Sequence, residues 1–282
     1  MAYVLIVIST LLFSLQFFFQ QNFQKIEGSG AISSFCFTAY SSLIGIIISL
    51  STTGFRLGFS GFTVLIAFLS GLNGIIMSYC SIKAFSTINL SVYSVFSMLG
   101  GMMLPFVFGI IFYNESLTFL KVLCVVLIAA SLFLTMDKTK RNDKKAYFYY
   151  AGIFFFNGMS GVLAKIHQSG ADALENGNYL AYTHMTSFLI CAAIVLVKKP
   201  SALRLGIRSI ALSAGNSILN TAGNLLLLIA LMTLPASIQY PMVTGGVIVF
   251  SFLISLLQKE KFTWRSFLAL VIAVVSTVLL AF

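Results

Sequence analysis

The chain has 282 residues, 59% hydrophobic and 9% charged, with a formal net charge of +10. A soluble protein carries about 25% charged residues, so this composition excludes a water-facing surface of ordinary kind. An all-α membrane protein is expected. The cations are spread along the chain with no basic domain, which argues against nucleic-acid binding.

A helix needs roughly 20 apolar residues to cross a bilayer. Ten such stretches are predicted, near 2–22, 31–51, 62–83, 89–112, 118–136, 147–166, 179–197, 209–231, 236–257 and 264–282. Met1 runs directly into the first, with no basic leader and no A-x-A site, so this stretch is expected to be retained rather than cleaved. It carries Gln16, Gln20 and Gln24 at helical spacing. The third holds Asn73, Ser78 and Tyr79, and the fourth holds Tyr93 and Ser97 before Gly100-Gly101. In the sixth come Asn157, Ser160 and Lys165, and in the seventh His184. The eighth reads AGNSILNTAGNLLLL, with Asn216, Asn220 and Asn224 four residues apart. At about 1.5 Å per residue these three amides cover roughly 12 Å of one helix face. The ninth carries Gln239 and Tyr240 before Gly245-Gly246. Unpaired polar groups facing lipid cost several kcal/mol, so all of these should point inward.

The four cysteines, Cys36, Cys80, Cys124 and Cys191, fall inside spans without a C-x-x-C pair, and read as small packing residues. No metal site or cofactor is expected. Lys and Arg favour cytoplasmic loops. Fourteen lie in the odd-numbered connections and three, Arg56, Lys121 and Lys165, in the even-numbered ones. That bias places the odd loops in the cytoplasm and both termini outside a plasma membrane.

The chain also repeats itself. Gly100-Gly101 and Gly245-Gly246, Glu115 and Glu260, Thr118 and Thr263, and Ser131 and Ser276 are each 145 residues apart. Ala84, Thr87 and Ser91 match Ala230, Thr233 and Ser237 with one residue of slippage. The repeats are expected at 1–136 and 147–282, joined by a charged cytoplasmic linker, 137–146. Five spans per copy is an odd number, so the second copy must enter the membrane inverted, as in many secondary transporters.

Each copy ends alike, FYNESLTFLKVLCVVLIAASLFL and LLQKEKFTWRSFLALVIAVVSTVLL, with an acid three residues before a Thr and then an apolar helix. The Thr can cap that helix, with the acid near its positive end. This pattern, with the length and the five-plus-five repeat, resembles the drug/metabolite transporter superfamily in its ten-helix EamA-like form. The resemblance implies a central cavity lined by helices one, three and four of each half. It also implies cytoplasmic termini, against the charge count. The Trp-Gly pair frequent in the family's first helix is replaced by LLFSLQFFFQ, and the Arg frequent in its second by a region around Tyr40.

The sequence therefore reads as a secondary transporter, expected to be a monomer, moving a small polar organic solute by alternating access. Gln16, Asn73, Tyr79, Tyr93, Ser97, Asn157, Asn216, Asn220, Asn224, Gln239 and Tyr240 are the candidate substrate contacts, and His184 the candidate for proton coupling. An amide-and-hydroxyl lining with no acid inside a span suits an amino acid or related zwitterion. An exporter of amphipathic or cationic drug-like compounds is the alternative. A membrane acyltransferase is a further one, resting on His167 and Asp172 in HQSGAD, where a His base would be oriented by the Asp.

Overall fold

The computed structural model describes residues 2–113, 144–231, 236–260 and 263–279, together with Leu123, Val126, Leu127, Ala130, Ser131 and Leu134 of the predicted fifth span. The described residues are helical with no strand. In chain order they form α1 (Ala2–Glu27), α2 (Ala31–Thr52), α3 (Gly61–Ala84), α4 (Leu90–Tyr113), α5 (Lys144–Ser169), α6 (Asn176–Lys198), α7 (Ile207–Leu231), α8 (Ala236–Leu257) and α9 (Trp264–Leu279). A short 3₁₀ turn, Pro200–Leu203, precedes α7. Four of them, α1, α2, α3 and α6, are long and apolar enough to cross a bilayer, which fits a membrane protein. The predicted sixth span is longer than its apolar run. Lys144, Lys145 and Ala146 of the expected linker already belong to α5, because a helix can continue its backbone hydrogen bonds beyond the apolar run that spans the bilayer.

Side chains at the helix starts supply caps. Ser60 Oγ accepts from Thr63 N at 3.4 Å, Asn89 Oδ1 from Val92 N at 2.9 Å, and Thr263 Oγ1 from Ser266 N at 3.2 Å. Each satisfies one of the four amides that a helix start leaves unpaired.

Polarity is distributed as a lipid solvent demands. Val4, Leu11, Ile47, Leu65, Leu189, Ile218 and Val271 are exposed, whereas Ser9, Ser14, Gln21, Ser94, Ser213 and Ser255 are buried. Many buried hydroxyls bond back one turn: Ser14 to Thr10 O, Ser81 to Met77 O, Ser213 to Ser209 O. A hydroxyl satisfied within its own helix adds no unpaired group to the interior.

The packing order is regular. α1 lies against α7 and α8, α2 against α6 and α7, α3 against α5 and α6, and α4 against α5 and α8; α9 packs on α8. Glycines permit the closest crossings. A methyl on Gly100 would lie 2.0 Å from Phe154 O of α5, and one on Gly246 would lie 2.8 Å from Thr10 Cγ2 of α1. One end of the bundle carries the connections near 28–30, 85–89, 199–206 and 258–260, with Lys25, Lys83, Lys198, Lys199, Arg204 and Lys259 in or beside them. This is called the basic end below.

Candidate functional site

Away from the basic end, a cavity of about 230 Å³ opens where the end of α2 meets the start of α6 and the middle of α7. Ser49, Thr52 and Thr53 come from α2 and the loop after it, Glu175, Asn176, Gly177, Leu180 and His184 from the start of α6, and Asn220, Thr221, Asn224 and Leu225 from α7. Two glycines bring α2 and α6 together. A methyl on Gly177 would meet Thr52 Oγ1 at 2.4 Å, and one on Gly45 would meet the His184 ring at 2.7 Å. His184 is thus set by close packing against a residue without a side chain.

The asparagines of α7 form a bonded ladder. Asn224 Nδ2 donates to Asn220 O and Oδ1, both at 2.9 Å, and Asn220 Nδ2 donates to Gln16 Oε1 of α1 at 3.0 Å. The four-residue spacing makes the first contact possible, since residues i and i+4 share a helix face. Asn220 and Asn224 line the cavity. Asn216, one turn deeper, is 8% exposed, and its Oδ1 has no partner among the described atoms.

The other sequence candidates sit elsewhere. Asn73 Nδ2 donates to Phe156 O at 2.9 Å and Ser160 Oγ at 2.7 Å, tying α3 to α5. Asn157 Nδ2 donates to Ser97 O at 2.6 Å, tying α5 to α4. Tyr93 is fully buried between Phe85 and Phe17, with its hydroxyl 2.8 Å from Ser81 Oγ. Ser97 is fully buried in the same helix. Tyr79 faces Tyr149 edge-on, with Lys83 Nζ 5.8 Å from its ring centroid. Gln239 and Tyr240 belong to α8, and their side chains lie outside the described residues. Glu115, Thr118 and Cys124 also fall outside them. The structure therefore brings Gln16, His184, Asn220 and Asn224 to one place and sets Asn73, Asn157, Tyr93 and Ser97 in helix contacts.

The sequence reading missed the contribution of α2 and the start of α6. It weighed polar residues at mid-span, whereas Ser49 and Thr52 lie near a helix end and Glu175 lies in a connection. One signal was present and unused. Ser70-Gly-Leu-Asn73 and Ser217-Ile-Leu-Asn220 share an S-x-L-N pattern 147 residues apart. The partners of the two asparagines, Ser160 and Gln16, are themselves 144 residues apart.

At the basic end a polar cluster joins α1, α4 and the turn between α8 and α9. Glu260 accepts from Gln21 Nε2 at 2.9 Å and from Leu90 N, the first residue of α4, at 3.3 Å. Lys25 Nζ lies 3.8 Å from Glu260 and donates to Gln258 Oε1 at 2.8 Å; Gln258 Nε2 donates to Gln21 Oε1 at 3.2 Å. The acid was expected near the start of its own following helix. It turns instead to the start of α4, where unpaired amides favour an anion, while Thr263 caps α9 alone.

His167 lies between the rings of Tyr179 and Phe62, centroids 4.3 and 6.2 Å away, with Nε2 3.2 Å from Thr63 Oγ1. Asp172 is exposed, and its main-chain oxygen accepts from Ser60. His167 is thus a packed ring bonded to α3, and its described contacts do not include the Asp172 carboxylate.

The architecture is shared with solved proteins. One solved structure, titled only "Crystal structure of protein", is 14% identical and superposes at a TM-score of 0.62 over 99% of this chain and 95% of its own. That likeness runs end to end and concerns the fold alone. No family model and no curated protein matches the chain.

Proposed function

We propose that the chain is a secondary transporter of small polar organic metabolites, with an amino acid or related zwitterion as the favoured solute. The observation that carries this reading is the one-ended cavity. It runs inward from Glu175 to His184 and the Asn220–Gln16 pair, while Glu260 ties α1, α4 and the α8–α9 turn together at the basic end. A cleft open from one end, with its helices bonded together at the other, is one of the two states that alternating access requires.

The packing order supports the inverted repeat behind it. Exchanging α1–α4 with α5–α8 turns the α1–α7 contact into α5–α3, α1–α8 into α5–α4, and α2–α7 into α6–α3; α2–α6 and α4–α8 map onto themselves. Every one of these pairs is present. On this reading the chain has ten membrane helices in two inverted halves, 1–136 and 147–282, and belongs with the EamA-like drug/metabolite transporters. The basic end is cytoplasmic and the cavity faces outward.

Cavity size favours a small metabolite over a drug-like compound. Pockets for drug-sized ligands measure about 300–1,000 Å³, and this one is about 230 Å³. The test is counterflow in proteoliposomes for hits from a thermal-shift screen of amino acids, sugars, nucleosides and amines. Saturable exchange that falls at least tenfold in Asn220→Leu is expected. Absence of exchange for every solute that shifts the melting temperature would reject the carrier.

A further inference from the structure

Of the residues that line the cavity, one carries a charge: Glu175. It precedes α6, and its main-chain oxygen accepts from Asn178 N and Tyr179 N, but its side chain makes no capping bond. The ion pair found among the described residues is the one between Lys25 and Glu260, so the Glu175 carboxylate is held by no described cation. Two further atoms have capacity left. Ser49 is 2% exposed, and its Oγ has no described partner. Asn224 directs its amide nitrogen at Asn220, which leaves Oδ1 as an acceptor.

We infer that Glu175 makes this cavity selective for solutes that carry an ammonium group. The inference deepens the transporter reading and rests on it for its ligand. Glu175 is exposed at the mouth, so its field is partly screened, but the largely apolar walls behind it favour cations over anions at the entrance. Asn224 Oδ1 adds a second acceptor suited to N–H donors. A solute's own carboxylate meets only neutral donors there, such as the Ser49 hydroxyl. Amines and zwitterions therefore enter, and simple acids do not. The sequence reading found no acid inside a span, and the structure supplies one from a connection.

Charge selectivity can be read without knowing the solute. Cysteine is placed at Asn224 and, in a second protein, at Thr52, both exposed residues of the cavity lining, and each is labelled with a cationic trimethylammonium or an anionic sulfonate thiosulfonate reagent. The native Cys36, Cys80 and Cys191 are buried, and the parent protein gives the background. The cationic reagent should react faster by about tenfold relative to its rate on a free thiol, the effect of a single partly screened carboxylate. Glu175→Gln should bring that ratio close to one, and Glu175→Asp should keep most of it. Equal rates with Glu175 present, no labelling at either position, or a ratio unchanged in Glu175→Gln would overturn the inference. Counterflow separates it from the parent reading. Exchange of carboxylic acids in preference to amines and zwitterions sinks the selectivity and leaves a carrier. A ratio that responds to Glu175 with no solute exchanged keeps the selectivity and sinks the carrier.

Discussion

Gly100 lies where α4 and α5 pack closely, and replacing it with alanine tests the packing directly. The added methyl carbon would lie 2.0 Å from Phe154 O and 2.6 Å from its C and Cα. These are main-chain atoms of α5, so no rotamer change relieves the overlap and the helices must separate. Overpacking of this kind costs about 1–3 kcal/mol, occasionally more, and the better helix propensity of alanine returns about 1 kcal/mol at most. The site lies where Asn157 bonds to Ser97 O, so separation also strains that bond, and the upper part of the range applies. In a chain of this size each kcal/mol moves the melting temperature by about 2 °C. Gly100→Ala should therefore melt roughly 4 °C lower in mild detergent. Gly74 provides the control, because a methyl there meets nothing within 4 Å. Gly74→Ala should melt at the parent temperature or slightly above it. Equal melting temperatures for the two variants would refute the crossing.

Two more outcomes follow from specific contacts. Glu260→Ala removes the acceptor of Leu90 N and Gln21 Nε2; a hydrogen bond to a charged group contributes about 1.5–3 kcal/mol, so amides at the start of α4 should exchange with deuterium roughly tenfold to a hundredfold faster. The Lys25 contact adds little, since Lys25 is 46% exposed and such pairs give about 1 kcal/mol at most; unchanged exchange at Leu90 would show that Glu260 does not hold α4. Gly45→Ala places a methyl 2.7 Å from the His184 ring, which must swing aside in the cavity, so thermal-shift hits should weaken several-fold while the melting temperature without solute changes by no more than about 3 °C; full retention of binding would show that the His184 position is irrelevant.

Most of the helices were legible because each apolar run is close to the length of a bilayer crossing, and Ser, Asn and Gln stand out against it. The Asn216–Asn224 ladder was legible for the same reason: spacing of four fixes a shared face whatever surrounds it. The fate of each amide was not. Asn73 and Asn220 look alike in sequence, yet one bonds to α5 and the other faces the cavity, because the choice depends on how far neighbouring helices have closed. Tyr93 shows the same limit. Its ring and hydroxyl suit a substrate or a core equally well, and Phe85, Phe17 and Ser81 settle it as core. Glu175 and Ser49 escaped because a polar residue near a helix end is ordinary in sequence, and only the approach of Gly177 to Thr52 turns two helix ends into one wall.

On the transporter reading, the unlike fates of Asn73 and Asn220 carry mechanistic weight. Matching S-x-L-N segments occupy α3 and α7, and each asparagine reaches a residue at a corresponding place, Ser160 in α5 or Gln16 in α1. Around Asn220 the cavity is open. Around Asn73 the neighbouring helices are bonded together, with Thr38 Oγ1 donating to Ser78 Oγ at 2.8 Å to join α2 to α3. Asn73 Oδ1 nevertheless lacks a described partner, although the residue is 5% exposed. A buried amide with half its capacity unused costs about 1–3 kcal/mol, a penalty that favours opening on that side. If the halves exchange roles, Asn73 gains access to a solute and Asn220 takes the closed arrangement. A difference of that size between two packings is small enough for solute binding to reverse it. On that reading, the asymmetry between two similar segments holds the second state.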